Sequence, residues 1–206
     1  MRARWLRACL GSALILAGGA RSAAAQTLTP LPLRRGEIAI RVRVNILPGF
    51  TARASADSAA FTGAALADVR GLAVARVAEI HTGIGLLDGR MRRTLDAAEY
   101  PEIRFELLRV TPEGGAVSDG GGSGAAHGDT TAVTLYGRFT IRGVSRDDTI
   151  PGTVVVAPGS LLVTAAFPLD IRDYGIAPPT AFFGIVRAAP VVRITVRLEF
   201  GEGHGS

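Results

Sequence analysis

In residues Glu37 to Leu47, EIAIRVRVNIL, side chains alternate from Glu37 to Ile46. Ile38, Ile40, Val42, Val44 and Ile46 share one side; Glu37, Arg41, Arg43 and Asn45 share the other. A period of two turns successive side chains to opposite faces, so this is a strand with one buried and one solvated face. That is the habit of antiparallel sheets. Pro48-Gly49 ends it in a turn.

The same pattern recurs through the chain. Ile103, Phe105 and Leu107 share a face, as do Val133, Leu135, Phe139 and Ile141. Thr149 to Ala157 reads as a further strand. Leu161, Val163, Phe167 and Leu169 form another apolar face, and Ile194, Val196, Leu198 and Phe200 the last. Residues 69–80 read as one strand or a bent pair. Residues 51–62 alternate weakly, with Ala52, Ala54, Ala56, Ser58 and Ala60 in phase. They are either an ordinary edge strand or a wall of small side chains that leaves room for a ligand. About eight evenly spaced strands predict an all-β fold, a sandwich or an up-and-down antiparallel barrel. An eight-stranded barrel either fills its interior with side chains or holds one small ligand.

One helical segment interrupts this pattern. In TGIGLLDGRMRRTLDAAEYPEIRF, residues 82–105, Met91, Leu95 and Ala98 recur at helical spacing. Asp88 is placed to cap the N-terminus and Pro101 to end the helix, which predicts a helix near 89–98. Arg90, Arg92 and Arg93 would then sit at the positive end of the helix dipole. They either meet an anionic lipid headgroup or form a solvated face with pairs such as Arg92–Asp96.

The ends and loops set further bounds. Arg2, Arg4 and Arg7 precede an apolar run from Ala8 to Gly19, and Ala23-Ala24-Ala25 follows. That is the form of a secretory signal peptide with cleavage after Ala25, which predicts a periplasmic or secreted protein. All 23 basic residues are Arg, and removing the four before Gln26 leaves 19 against 18 acids. Near-zero charge argues against nucleic-acid binding. The single cysteine, Cys9, leaves with the signal, so no disulfide, thiol nucleophile or thiolate metal site is expected. Residues 26–36 read as an extended lead-in, 112–131 as a flexible Gly-rich loop and 201–206 as a tail.

No catalytic residue, metal ligand set or cofactor motif emerges. His81, His127 and His204 are scattered, with none at metal spacing. A hydrolase using His81 with Asp170 or Asp173 is the weaker alternative, and no substrate suggests itself.

Three segments together resemble the YceI-like family of exported polyisoprenoid-binding proteins. In residues 81–105 the resemblance rests on Thr82, Gly83, Asp88, Met91, Arg92, Asp96, Tyr100, Pro101, Ile103 and Phe105. In LYGRFTIRGVSRD it rests on Gly137, Phe139, Thr140, Ile141, Gly143, Val144, Ser145 and Arg146. In FPLDIRDYGI it rests on Asp173, Tyr174, Gly175 and Ile176. Leu87 and Arg90 depart from the family's usual Arg and His.

The resemblance covers residues 37–200. It implies an extended lipocalin-like β-barrel without a catalytic site, holding a quinone or polyprenyl tail. The cavity is expected to be lined by Ile40, Val42, Val44 and Ala54, by Met91 and Leu95 of the helix, and by Phe105, Phe139, Ile141 and Phe167. Tyr174, Phe182 and Phe183 are expected as an aromatic lid. The headgroup would meet Arg90, Arg92 and Arg93, with peripheral membrane contact. The alternative is a non-catalytic extracytoplasmic interaction module with a filled core.

Overall fold

A computed structural model describes residues 31–62, 68–113, 129–181 and 183–201. The strands are β1 (Leu33–Val42), β2 (Phe50–Ser55), β3 (Ser58–Thr62), β4 (Arg70–Arg76), β5 (Glu102–Pro112), β6 (Asp129–Ile141), β7 (Val144–Ala157) and β8 (Ser160–Asp170). They are followed by β9 (Thr180–Ala181), β10 (Val186–Arg187) and β11 (Val191–Gly201). One helix, α1 (Gly85–Thr94), lies between β4 and β5. Nine strands pair antiparallel in the order β2-β1-β11-β8-β7-β6-β5-β4-β3, and β9 and β10 form a separate hairpin. The sheet curls strongly into a half-barrel of the predicted class.

Its two edges are adjacent pieces of chain. Ala56 donates its N–H to Gly36 O on β1 (3.1 Å), and Asp57 donates to Val74 O on β4 (2.9 Å). So β2 and β3 are one bent strand that pairs with one edge in its first half and the other in its second. Counted that way, the sheet has the eight strands expected of the sequence. The bend also changes which residues face inward. Ala52, Ala54 and Ala56 are buried, Asp57 and Ser58 both face out, and then Ala59 is buried. Two successive outward residues mark a bulge, which bends a strand and shifts its phase. The even-numbered alanine face therefore stops at Ala56.

Close contacts fix the strands that carry the resemblance. Arg142 and Gly143, both at positive φ, make the two-residue β6–β7 turn, as a tight hairpin requires. A Cβ on Gly143 would lie 2.6 Å from the Tyr100 ring. One on Gly137 would lie 2.3 Å from the Phe105 ring, which covers the glycine.

Several boundaries differ from the sequence expectation: β1 ends at Val42, five residues short of the expected Leu47, which leaves Ile46 exposed, and β4 ends at Arg76 within the expected 69–80. β1 begins at Leu33, within the expected lead-in. β5 reaches Pro112, and β6 begins at Asp129, inside the expected loop. The rest of that loop (114–128, with His127), the expected signal peptide 1–25 and residues 202–206 lie outside the described residues.

The helix starts and ends about four residues earlier than predicted. Its N-cap is Ile84, and Asp88 lies within it. Thr82 supplies the turn into the helix, its Oγ1 accepting from Ile84 N–H (3.2 Å). Pro101 does not end the helix. Asp96 adopts φ 53°, Asp96 N–H bonds Arg93 O (3.1 Å) and Ala97 N–H bonds Arg92 O (2.9 Å). That is a Schellman motif, here with Asp in the left-handed position that glycine usually fills. Leu87, Met91 and Leu95 face inward, and Ala98 is exposed.

Candidate lipid-binding cavity

The interior is not filled. A cavity of about 1500 Å³ runs between the curled sheet and α1. Its walls come from inward positions of β1 to β8 and β11, where strict alternation delivers aliphatic side chains at every second residue. Phe105, Phe139 and Phe167 form an aromatic row across β5, β6 and β8, with ring centroids 4.6 and 5.5 Å apart. Phe61 and Phe200 pack edge to face at 5.3 Å on another part of the wall. Where β2 forms the wall, the alanines keep it thin: Ala52 and Ala54 pack with Val77 and Ile80, and Met91 and Leu95 of α1 lie against them. Among the described residues the only charged side chain on the wall is Arg90.

Asp88 anchors α1 over this cavity. The residue is 6% exposed, and its carboxylate accepts from Thr82 N–H (2.7 Å) and Thr82 Oγ1 (2.5 Å), with His81 Nδ1 at 3.7 Å. The Thr82 hydroxyl, then the Thr82 amide, holds its carboxyl below the usual carboxylate range. His81 in turn is tied to β2 by reciprocal backbone bonds with Arg53, both 2.8 Å. The segment entering α1 is thus fixed to the sheet at one end and to the helix at the other.

Of the residues expected to line a cavity, Ile40, Val42, Val44, Ala54, Met91, Leu95, Phe105, Phe139, Ile141 and Phe167 are on its wall. Tyr174 and Phe183 are not. Tyr174 is buried in the core behind the wall, where desolvation pushes its phenol up to about 12. Its segment is held there because Arg142 donates to Gly175 O (3.0 Å) and Arg146 to Asp173 O (3.1 Å). Phe183 occupies the tip of the β9–β10 hairpin and is fully exposed. Phe182 lies outside the described residues.

The arginines of α1 also separate. Arg90 lines the cavity and donates to Thr180 O (3.3 Å). Arg92 and Arg93 are exposed in the last turn, where the helix dipole favours cations. The expected electrostatic conflict at a helix N-terminus is absent because the helix begins earlier. Asp96 falls beyond the helix, so the expected Arg92–Asp96 helical pair is not formed either.

Sequence reasoning missed Leu47, Ile84 and Leu86 on the wall. They are at least half exposed and sit in a loop or the first turn of α1, where no periodic pattern assigns a face.

Among the described residues no group of His, Cys, Asp or Glu could hold a metal ion. Asp170 is engaged by Arg172, with Nη2 2.5 Å from Oδ2. No described helix is long and apolar enough to cross a membrane.

A comparison with curated proteins finds no match. Solved structures do match. BcnA of Burkholderia cenocepacia is similar at 17% identity and TM-score 0.61, covering 80% of this chain and 95% of that one. A polyisoprenoid-binding domain from Saccharophagus degradans, implicated in plant cell wall breakdown, is similar at 14% identity and TM-score 0.61, covering 84% and 98%. The YceI protein of Campylobacter jejuni is similar at 16% identity and TM-score 0.53, covering 79% and 85%. At these identities the likeness is one of fold. The family described as YceI-like domain matches residues 37–200, which includes all or most of every strand of the large sheet. The chain belongs to the YceI-like family.

Proposed function

We propose that the protein is an exported, non-catalytic carrier whose barrel holds the apolar tail of an isoprenoid, a quinone or a polyprenyl lipid. The observation that carries this reading is the cavity. At about 1500 Å³ it exceeds the roughly 300–1,000 Å³ of ordinary small-molecule pockets. Its wall offers an apolar chain an aliphatic and aromatic surface with few polar groups to satisfy. Burial of each CH₂ contributes about 0.8 kcal/mol, set against the cost of ordering a flexible chain. Such a wall selects by length and bulk, so closely related isoprenoids are held alike. Arg90, the one charged wall residue among those described, is placed to meet a polar or anionic head. The polyisoprenoid-binding domain among the similar structures supports the same ligand class. The alternative, an interaction module with a filled core, is disfavoured by the open interior.

The test is uptake of a radiolabelled polyprenol from detergent. Near-stoichiometric loading is expected, with a marked loss in Ala54→Trp and Ala75→Trp, which put indoles into the cavity from β2 and β4. No uptake by the unaltered protein overturns the reading. Export is tested by the processed N-terminus, expected at Gln26.

A further inference from the structure

The cavity opens through an apolar rim that faces water. Ile46 and Leu47 of the β1–β2 connection, Ile84 and Leu86 at the start of α1, and Phe183 and Ile185 at the β9–β10 tip are each at least half exposed. These three segments adjoin one another. Asn45 donates to Ile185 O (2.9 Å), Val44 bridges Ala188, and Arg90 of α1 reaches Thr180 O of β9 (3.3 Å). Leu47, Ile84 and Leu86 face both ways, toward solvent and onto the cavity wall. The apolar surface therefore continues from the interior to the outside. Phe183 is presented at φ 55°, a backbone conformation uncommon for a bulky residue. Large apolar groups gathered on one exposed surface mark a contact site.

Charge identifies the partner. Residues 43–49, 81–94 and 175–190, which carry the rim, contain Arg43, Arg90, Arg92, Arg93 and Arg187. Their one acid is Asp88, buried and engaged by Thr82. Beside the rim, on the outer face, Arg41 and Arg193 stand directly opposite each other in the β1–β11 ladder. With Arg43 they line a shallow depression that also touches Gly49 and Ala189. None of the three forms an ion pair among the described residues. Like charges directly opposite in a ladder destabilise it, and an external anionic surface removes that cost.

We propose that this rim docks on an anionic lipid bilayer. The apolar side chains enter below the headgroups, the arginines meet phosphates, and the isoprenoid tail passes between bilayer and cavity without crossing water. The inference rests on the carrier reading, and the experiment separates the two.

The protein, as the cell processes it, is floated with vesicles of phosphatidylcholine alone or mixed equally with phosphatidylglycerol. Stronger binding to the anionic vesicles is expected. The variant Ile46→Ser/Phe183→Ser/Ile185→Ser changes three exposed residues that do not line the cavity. It should lose more than about tenfold in vesicle affinity while loading polyprenol from detergent as before. Arg41→Gln/Arg43→Gln/Arg193→Gln should lose the preference for phosphatidylglycerol. A Phe183→Trp reporter should be quenched by brominated lipid. Vesicle binding unchanged in the rim variant, or absent in the unaltered protein, overturns the proposal. So does a protein partner that occupies the rim in place of vesicles. Detergent loading reports on the carrier reading alone; if the unaltered protein takes up no polyprenol, that reading falls whatever the vesicles show.

Discussion

Gly137→Ala is the smallest change that tests how the cavity wall is built. A Cβ at this position would lie 2.3 Å from Cε2 and Cζ of Phe105 and 2.8 Å from the carbonyl oxygen of Glu106. The carbonyl cannot give way cheaply, because Leu107 pairs with Gly137, and Glu106 with Arg138, in the β5–β6 ladder. The ring must move instead. It would leave its contact with Phe139, at 4.6 Å between centroids, and swing into the cavity. Overpacking of this kind costs about 1–3 kcal/mol, and the lost ring pair about 0.5–1.5 kcal/mol. We expect a total of about 1.5–4.5 kcal/mol, read as a lower urea midpoint at unchanged slope. Polyprenol capacity should fall as well, since the displaced ring occupies ligand space. Adding Phe105→Leu to Gly137→Ala should recover part of the stability, a coupling of opposite sign to simple additivity. If Gly137→Ala stays within about 0.5 kcal/mol of the parent, the level of an ordinary surface change, the account of this wall is wrong.

Other expectations follow from α1 and the core. Asp88 titrates below its ordinary range because Thr82 donates to it. Its contribution to anchoring α1 is thus complete above the unfolded carboxylate range and lost as pH falls through the folded value. Amide protection in residues 84–95, measured against the intrinsic exchange rate at each pH, should fall at acid pH, and Asp88→Ala should show that lower protection already at neutral pH. Asp96→Gly relieves the φ of 53° at the helix C-terminus and should stabilise by about 0.5–1 kcal/mol, read in the thermal midpoint. Tyr174, pushed up to about 12 by burial, disfavours ionisation in the folded state. Its contribution is complete below the ordinary phenol range and is lost as pH rises through about 12, so Tyr174→Phe should blunt the alkaline loss of stability.

The strands were legible because burial on one face imposes a period of two that nothing else in the chain imitates. Ile38 to Val44 and Ile194 to Phe200 could be assigned to a face from sequence alone. The bent strand could not. Its alanines run in phase from Ala52 to Ala60 in the sequence, but hydrogen bonds at Ala56 and Asp57 to different strands change the inward set at Ala59. That switch depends on where the sheet closes, which is a property of the whole fold.

The helix shows another limit. Asp88 reads as a cap because capping residues and buried anchors share one chemistry, a carboxylate accepting amide hydrogens. The local signal for the true start was Thr82. Asp96 ends the helix in a conformation that residue type alone does not announce. The cavity wall followed from alternation. The opening did not, because Leu47, Ile84 and Leu86 lie where the chain is aperiodic, and Phe183 turns outward at a hairpin tip that no pattern marks.

The central claim is that the space between sheet and helix holds an isoprenoid tail. Mass spectrometry of an organic extract of the protein, purified without detergent from the cells that make it, tests this directly. The account predicts one co-purifying isoprenoid at near-equimolar amount. Repeated recovery of an empty protein, or of one carrying only straight-chain fatty acids, would contradict it.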